Sequence, residues 1–351
     1  MPNAPLTCLD LWIKAGSLYE EKGEEGLAHF LEHMVFKGGE NLKEGDFDRQ
    51  IEALGGSSNA ATGFDDVHFH VLIPPEAIEQ ALDLLLNLVL TPSFDSKAYE
   101  IEREVVLEEI AQHNDQQDEK IFQKLLELCW KDHAYGRPIL GYKESLVKSN
   151  PKTMRGFHNR CYSSDNFVLS IAGNLPNGIE DIVQKSQLST VEQSSIKSQA
   201  NPKIKKIPFH KGRTEIEFDR IETSRIIMAW PFSSAKYQSF VIGADIATSL
   251  LAEGRRSRLV KHLREELQIV DSIEMDITIL ENGGLVILEA SCKEENLSYV
   301  EAEIHNLLKE SIEKPIKEKE LKRAKKLVSN SLCFSLELSS NVAAIAGSQA
   351  L

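Results

Sequence analysis

Cysteine is scarce in this 351-residue chain, and long apolar runs are absent from it. The five cysteines are scattered, and no two form a C-x-x-C pair, which argues against a disulfide framework or a cysteine-based zinc site. The sequence shows no membrane-spanning stretch, signal peptide or twin-arginine run. We therefore expect free thiols and a cytoplasmic protein. Because the N-terminus leads directly into a strand-like run, we also expect that residues carrying a targeting segment can precede it in the full protein.

Basic residues are also in short supply, since 40 Lys and Arg stand against 54 Asp and Glu and leave a net charge of −14. Such a surface repels phosphates, and no basic cluster with interleaved aromatics stands out, which argues against nucleic-acid binding. The glycine pairs fit neither a phosphate loop nor a dinucleotide fingerprint. The remaining composition, 42% hydrophobic and 27% charged, is that of a globular protein long enough for two domains.

The most informative motif is H-x-x-E-H, which covers His29, Glu32 and His33. Its segment is apolar and predicts a helix, on which the two histidines lie one turn apart on one face with Glu32 beside them. Two imidazoles at this spacing can bind one Zn²⁺, and the carboxylate can take a proton from a zinc-bound water. Two incidental histidines are the alternative, but unpaired His and Glu would be costly to bury in so apolar a segment.

A third zinc ligand is expected on another helix. The segment 102–109 offers four carboxylates: Glu102, Glu104, Glu108 and Glu109. Glu102 and Glu109 are two turns apart and share a face that adjoins apolar residues, whereas the other two are expected to be solvated. The spacing favours this pair but does not decide which member binds the metal.

The remaining histidines and the cysteines give weaker signals. His68 and His70 alternate on the predicted strand 67–73 and offer a second pair of metal ligands, although a surface or core position is the simpler interpretation. A cysteine–histidine nucleophilic pair is compatible with the composition, but no cysteine lies in a recognisable motif.

The order of predicted elements recurs along the chain. Strand, helices, strand and long helices follow one another before residue 185 and again after residue 207, which predicts two related α+β halves. The polar, Ser-, Gln- and Lys-rich segment 186–206 reads as a linker. We therefore expect a catalytic domain at 1–185 and a homologous domain at 207–351 that is incomplete at its end.

Five stretches resemble the insulinase/pitrilysin family of zinc peptidases (M16), in particular the branch similar to the mitochondrial processing peptidase. In chain order they are 26–38, 55–62, 102–109, 135–141 and 166–174. The resemblance implies two α/β-roll halves, each an antiparallel-rich sheet packed by helices, which face each other across a chamber. It also implies that peptides bind by strand addition to a sheet edge.

The resemblance further implies roles for the motif residues. One zinc ion per chain would be bound by His29, His33 and Glu109, with Glu102 as a carboxylate behind the ligands. Glu32 would be the general base. The choice between the two glutamates, which spacing leaves open, therefore comes from the resemblance.

Three further residues are implied to contact substrate: Asn59 and Ala60 beside the metal, and Arg264 in the second half. Active single-chain members pair this arginine with a tyrosine seven residues later, where this chain has Asp271. In the resembling branch, zinc-bearing subunits often pair with a homologous subunit that supplies both residues. We therefore expect a homodimer or a heterodimer with such an Arg/Tyr-bearing subunit.

The function predicted from the sequence is a zinc-dependent endopeptidase that hydrolyses short or unfolded peptides. Two alternatives share the fold. One is a catalytically silent structural or assembly subunit, which the missing tyrosine favours and the intact metal motif disfavours. The other is a module that binds peptides without turning them over.

Overall fold

The structure is a computed structural model that describes residues 1–191, 207–217 and 223–351. The chain divides into two compact units, Met1–Lys203 together with Ser335–Leu351, and Ile204–Phe334. Residues 192–206 of the predicted linker lie outside the described residues, and the segment before them ends in a 3₁₀-helix at Gln187–Thr190. The predicted halves differ from this division in one respect, because residues 335–351 pack with the first unit.

The first unit combines a small sheet with α-helices. Its strands are β1 (Thr7–Ile13), β2 (Ser57–Thr62), β3 (Val67–Ile73) and β4 (Phe167–Ala172). Its α-helices before residue 191 are α1 (Leu27–Val35), α2 (Asp46–Ala53), α3 (Ile78–Leu90), α4 (Ser96–Asp115), α5 (Gln117–Trp130), α6 (Lys143–Lys148), α7 (Pro151–Cys161) and α8 (Ile179–Lys185).

The four strands form one antiparallel sheet in the order β2-β3-β1-β4. One face is apolar, because alternate residues of β1 and β3 such as Leu11 and Phe69 join the main hydrophobic core. Buried residues of α1, α3 and α4, among them Phe30, Leu82 and Val106, complete that core. Since a slip by one residue would turn these side chains to the other face, core burial fixes the register of the strands.

The opposite face of this sheet is covered in part by the last helix, α12 (Ser339–Ala350). Its Ala343 clusters with Cys8 of β1 and Ala172 of β4, two residues that pair across the strands. Gly347 lies so close to Trp12 that an added Cβ would approach the indole ring to 2.3 Å. The helix therefore joins the first unit through contacts between small side chains and the sheet.

The second unit has a shorter sheet. Its strands are β5 (Ser224–Phe232), β6 (Ser272–Ile279) and β7 (Gly284–Cys292), and its helices are α9 (Gln238–Ala252), a π-helix (Val260–Glu266), α10 (Leu297–Glu313) and α11 (Glu318–Ser335). The antiparallel order β5-β7-β6 repeats the order β1-β3-β2. No counterpart of β4 occurs among the described strands of this unit. The predicted α+β class, with a shorter second half, is confirmed.

Three elements differ from the sequence-based expectation. The strand β2 was not predicted, because its residues are small or polar and carry little β-propensity. The sequence from residue 96 to about residue 128 predicts one long helix, but the chain breaks at Gln116, whose backbone is extended, into α4 and α5. The sequence also predicts a helix over residues 257–267, and the structure has a π-helix there from Val260 to Glu266.

The described cysteines are free thiols. Cys8, Cys129, Cys161 and Cys292 are buried, whereas Cys333 is exposed. Burial raises the pKa of Cys8 and Cys161 to about 12, so neither is a nucleophile near neutral pH.

The structure also bears on membrane insertion. Across the described residues, no helix is both long enough and apolar enough to cross a membrane.

We expect Gly347→Ala to destabilise the first unit, because the new methyl group would collide with the indole ring of Trp12. Overpacking of this kind costs about 1–3 kcal/mol. The matched control is Gly156→Ala on α7, where an added Cβ meets nothing within 4 Å. The control removes backbone freedom without a clash and should stabilise by roughly 0.5–1 kcal/mol. Urea unfolding of the three proteins measures both changes, and equal stability of the two variants would contradict the packing described.

Candidate metal centre

The start of α1 is fixed by a buried carboxylate. Oε1 of Glu20 accepts hydrogen bonds from the backbone N–H groups of Gly26 and Ala28, each at 3.0 Å. Such N–H groups have no partner within the helix itself. Gly26 has a φ of 94°, and an added Cβ would approach the carbonyl oxygen of Leu140 to 2.5 Å. Two of the stretches singled out in the sequence, 26–38 and 135–141, therefore meet where the motif helix begins.

Three side chains converge beside α1. Nε2 of His29 lies 3.7 Å from Oε1 of Glu109, and Nε2 of His33 lies 3.4 Å from Oε2 of the same carboxylate. These separations exceed the usual hydrogen-bond length of about 2.9 Å. They are close to the spacing of about 3.3 Å that two ligands have when each lies about 2.0 Å from a tetrahedral Zn²⁺. His29, His33 and Glu109 thus form a group whose ligand atoms all lie within 4.8 Å of one another.

His29 is the more buried of the two histidines in this group. Its side chain is 11% exposed, and its Nδ1 is buried with no hydrogen-bond partner among the described residues. Burial and the neighbouring His33 lower the pKa of His29 to about 3, so the ring is neutral and keeps a free lone pair. Two imidazoles and one carboxylate are a donor set suited to Zn²⁺, and the residues present fit that ion.

Glu102 lies behind this group. Its Oε1 is 2.9 Å from Nδ1 of His33, and its Oε2 is 2.7 Å from Nζ of Lys37. The carboxylate side chain is only 7% exposed, so these two contacts compensate the cost of burying it. The contact to Nδ1 orients the imidazole so that Nε2 faces Glu109.

Glu32 lies on the side of α1 that faces the edge strand β2. Its Oε2 accepts a short hydrogen bond from the hydroxyl of Thr62, the last residue of β2. Burial raises the pKa of Glu32, and the Thr62 hydrogen bond and the charge of His33 counteract this only in part. A carboxylate with a raised pKa, held beside a candidate metal group, can accept and return a proton.

Packing between α1 and α4 brings these groups together. The rings of Phe30 and Tyr99 are in contact, with centroids 4.6 Å apart, and the Tyr99 hydroxyl lies 2.7 Å from Oγ of Ser149. Asp95 caps α4 by accepting hydrogen bonds from the backbone N–H groups of residues 97 and 98.

Glu104, predicted to be solvated, is 72% exposed on this helix.

The residues predicted to contact substrate belong to both units of the chain. Asn59 and Ala60 are neighbours on β2 and therefore point to opposite faces of the sheet, Ala60 towards the core and Asn59 towards solvent. Arg264 belongs to the second unit, where its guanidinium donates to the carboxylate of Glu265 at 2.8 Å. Asp271 is exposed just before β6.

Three residues of the site were not predicted from the sequence. Thr62 lies in the stretch 55–62 but was not singled out, because the strand that it ends was not predicted. Glu20 and Lys37 flank the motif, and only the folded backbone shows that they cap α1 and neutralise Glu102.

A helix with H-x-x-E-H, completed by a glutamate from a second helix, is typical of inverted zincin metallopeptidases. Comparison with known proteins agrees with this class. Residues 2–143 match the family model described as insulinase (peptidase family M16), and residues 149–328 match the one described as peptidase M16 inactive domain. The chain therefore belongs to the M16 peptidase family.

The individual proteins to which the chain is similar match either most of it or about half of it. It is 29% identical over 339 residues to an uncharacterized zinc protease of Rickettsia bellii, covering 96% of this chain and 80% of that protein. It is 30% identical over 189 residues to the mitochondrial-processing peptidase subunit beta of Dictyostelium discoideum, covering 53% and 40%. The crystal structure of a protease from Helicobacter pylori has the same fold, with a TM-score of 0.87 at 22% identity, covering 98% of this chain and 84% of that one.

We expect the buried Glu20 to make stability depend on pH. Burial raises its pKa from 4.5 to about 8, so the folded chain retains a proton that the unfolded chain loses between about pH 5 and 8. The free energy of unfolding should therefore fall by about 1.4 kcal/mol per pH unit over that range. Glu20→Gln should remove this slope while its amide oxygen keeps both backbone hydrogen bonds.

The measurement is urea unfolding of the wild type and Glu20→Gln at several pH values. The difference between the two proteins isolates Glu20 from other titrating groups. Glu21→Gln, at a neighbouring side chain that is 71% exposed, is the control and should leave the slope unchanged. Parallel curves for wild type and Glu20→Gln would contradict the expectation.

Proposed function

We propose that this chain is a zinc-dependent endopeptidase that hydrolyses short or unfolded peptides. The observation that carries the proposal is the convergence of His29, His33 and Glu109, with the carboxylate of Glu32 held beside them. Membership of the M16 family and the zinc-protease names of relatives support the same conclusion.

The metal would be bound by Nε2 of His29, Nε2 of His33 and the carboxylate of Glu109, one Zn²⁺ per chain. When bound, Zn²⁺ lowers the pKa of a coordinated water and polarises a carbonyl group. Glu102 supports the site from behind, since it fixes the ring of His33 through Nδ1.

Glu32 would act as the general base and then as the general acid. Its raised pKa favours taking the proton from the attacking water and delivering it to the leaving amine. Thr62 holds the carboxylate at the end of β2, so the proton-transferring group has a defined position.

The edge strand β2 offers a binding site for an extended peptide. It pairs with β3 on one side, and no described strand pairs with its other edge. A peptide that adds to this edge would gain backbone hydrogen bonds without regard to its sequence, which suits short or unfolded chains. Because Thr62 ends this strand and contacts Glu32, the bound peptide would pass the proton-transferring group.

A silent or weakly active subunit is the second candidate, and one observation favours it. Arg264, the residue implied to contact substrate, is engaged by Glu265, and Asp271 occupies the position of the expected tyrosine. A homologous subunit that supplies both side chains would overcome this deficiency. The second family model, described as inactive, covers this part of the chain.

We expect Glu32→Gln to reduce the hydrolysis rate of an unstructured peptide by about 10²–10⁴-fold, because the variant cannot accept a proton. The group of His29, His33 and Glu109 should still bind one zinc ion in this variant, since Glu32 is not among the ligands. Glu108→Gln, an exposed carboxylate on α4, is the matched control and should leave both quantities unchanged. Full activity of zinc-loaded Glu32→Gln would refute the role given to this residue.

The need for a partner is tested by peptide hydrolysis with the purified chain alone and mixed with an Arg/Tyr-bearing homologue. We expect the mixture to be the more active, since the homologue supplies the two substrate contacts that this chain lacks. Equal activity with and without the homologue would mean that the tyrosine is dispensable. Bound zinc without turnover in either case would favour the silent subunit or the peptide-binding module.

A further inference from the structure

A second group of ligand-type side chains lies on the other face of the first sheet. Leu9, Leu11 and the alternate residues of β3 point into the core, so Asp10, His68 and His70 share the opposite face. Asp10 of β1 is paired with His70 of β3 in the strand register. The ligand atoms of all three lie within 4.8 Å of one another.

The carboxylate of Asp10 is the buried member of this group. Its side chain is 2% exposed, and Oδ1 lies 2.9 Å from Nδ1 of His68, whose side chain is 19% exposed. A buried carboxylate is costly unless charges or hydrogen bonds compensate it, and a single contact with an imidazole supplies only part of this compensation. A divalent cation bound to the same oxygen would supply the rest.

His70 completes the group as a second imidazole. Its ring is stacked near that of His68, with centroids 5.6 Å apart and an interplanar angle of 20°. Burial lowers the pKa of His70, and the charge of Asp10 counteracts this only in part. The ring is therefore neutral near pH 7 and retains the lone pair that a metal ligand needs.

Packing orients the group before any ion binds. The indole of Trp12 stacks on the His68 ring, with centroids 4.1 Å apart and an interplanar angle of 14°. Gly347 of α12 lies directly against the same indole. The ring of His68 is thus held between its hydrogen bond to Asp10 and the face of Trp12, which leaves little conformational freedom to lose on metal binding.

We propose that Asp10, His68 and His70 bind a second divalent transition-metal ion, for which Zn²⁺ has the matching ligand preferences. Two imidazoles and a carboxylate suit Zn²⁺ and its neighbours in the transition series, whereas Mg²⁺ and Ca²⁺ prefer sites built from oxygen ligands. Ligands of tetrahedral Zn²⁺ lie about 3.3 Å apart, so the three atoms need shifts of no more than about 1.5 Å.

This second site differs in role from the group on α1. It joins two neighbouring strands, β1 and β3, and lies on the sheet face opposite the core. An ion there would link the strands and stabilise the first unit. The proposal does not depend on the peptidase activity, because none of its ligands belongs to the H-x-x-E-H helix or to α4.

The test is zinc binding, measured by equilibrium dialysis with Zn²⁺ alone. The full chain should bind two ions, and His29→Ala/His33→Ala, which removes the site on α1, should bind one. Adding His70→Ala to that double variant should weaken the remaining binding at least tenfold. His113→Ala is the matched control, since that imidazole belongs to neither group and its Nε2 lies 3.2 Å from Oε2 of Glu119, and it should leave the remaining ion bound.

The proposal is overturned if the double variant binds no zinc, or if His70→Ala does not weaken its binding. Circular dichroism shows whether each variant folds. If the double variant fails to fold, crystals of the wild type soaked in ZnCl₂ decide the question by anomalous diffraction. A peak between Asp10, His68 and His70 supports the second site, and a peak at the α1 group alone overturns it.

Discussion

The helix that carries the motif depends on carboxylates buried at its two ends. Glu20 accepts from the first backbone N–H groups of α1, and Glu102 holds His33 and Lys37 near its last turn. Each carboxyl group is almost fully buried, and its contacts with fixed donors offset part of the cost of burial. If either end shifted, the spacing between the histidines and Glu109 would change with it. The geometry of the candidate centre thus depends on these two buried carboxyl groups as much as on the five-residue motif.

How far the site could be predicted follows from the range of the interactions involved. The proximity of His29, Glu32 and His33 is local, since one helical turn brings them together, and the sequence pattern was sufficient. Which of Glu102 and Glu109 serves as the third ligand depends, by contrast, on contacts between residues distant in the sequence. Both glutamates lie on one face of α4. Contacts such as that of Phe30 with Tyr99 set how α4 approaches α1, and this approach decides which carboxylate faces Nε2 of His33.

The fold likewise contains elements that the local sequence predicts and elements that depend on contacts between distant residues. Strongly patterned elements such as β3, with its alternating apolar residues, were predicted to their ends. The edge strand β2 was not, because small polar residues become a strand only through pairing with β3. The position of α12 was also beyond prediction. Its apolar pattern shows that it packs, and nothing local shows that it packs on the first unit instead of the second.

The return of α12 to β1 has a consequence for the order in which the protein can be completed during synthesis. Gly347 is synthesised long after Trp12, yet the two residues are in contact in the folded chain. At about 5–20 residues per second, the first sheet waits many seconds for its covering helix. During that time the face that carries Cys8 and Trp12 is exposed to chaperones and to other nascent chains.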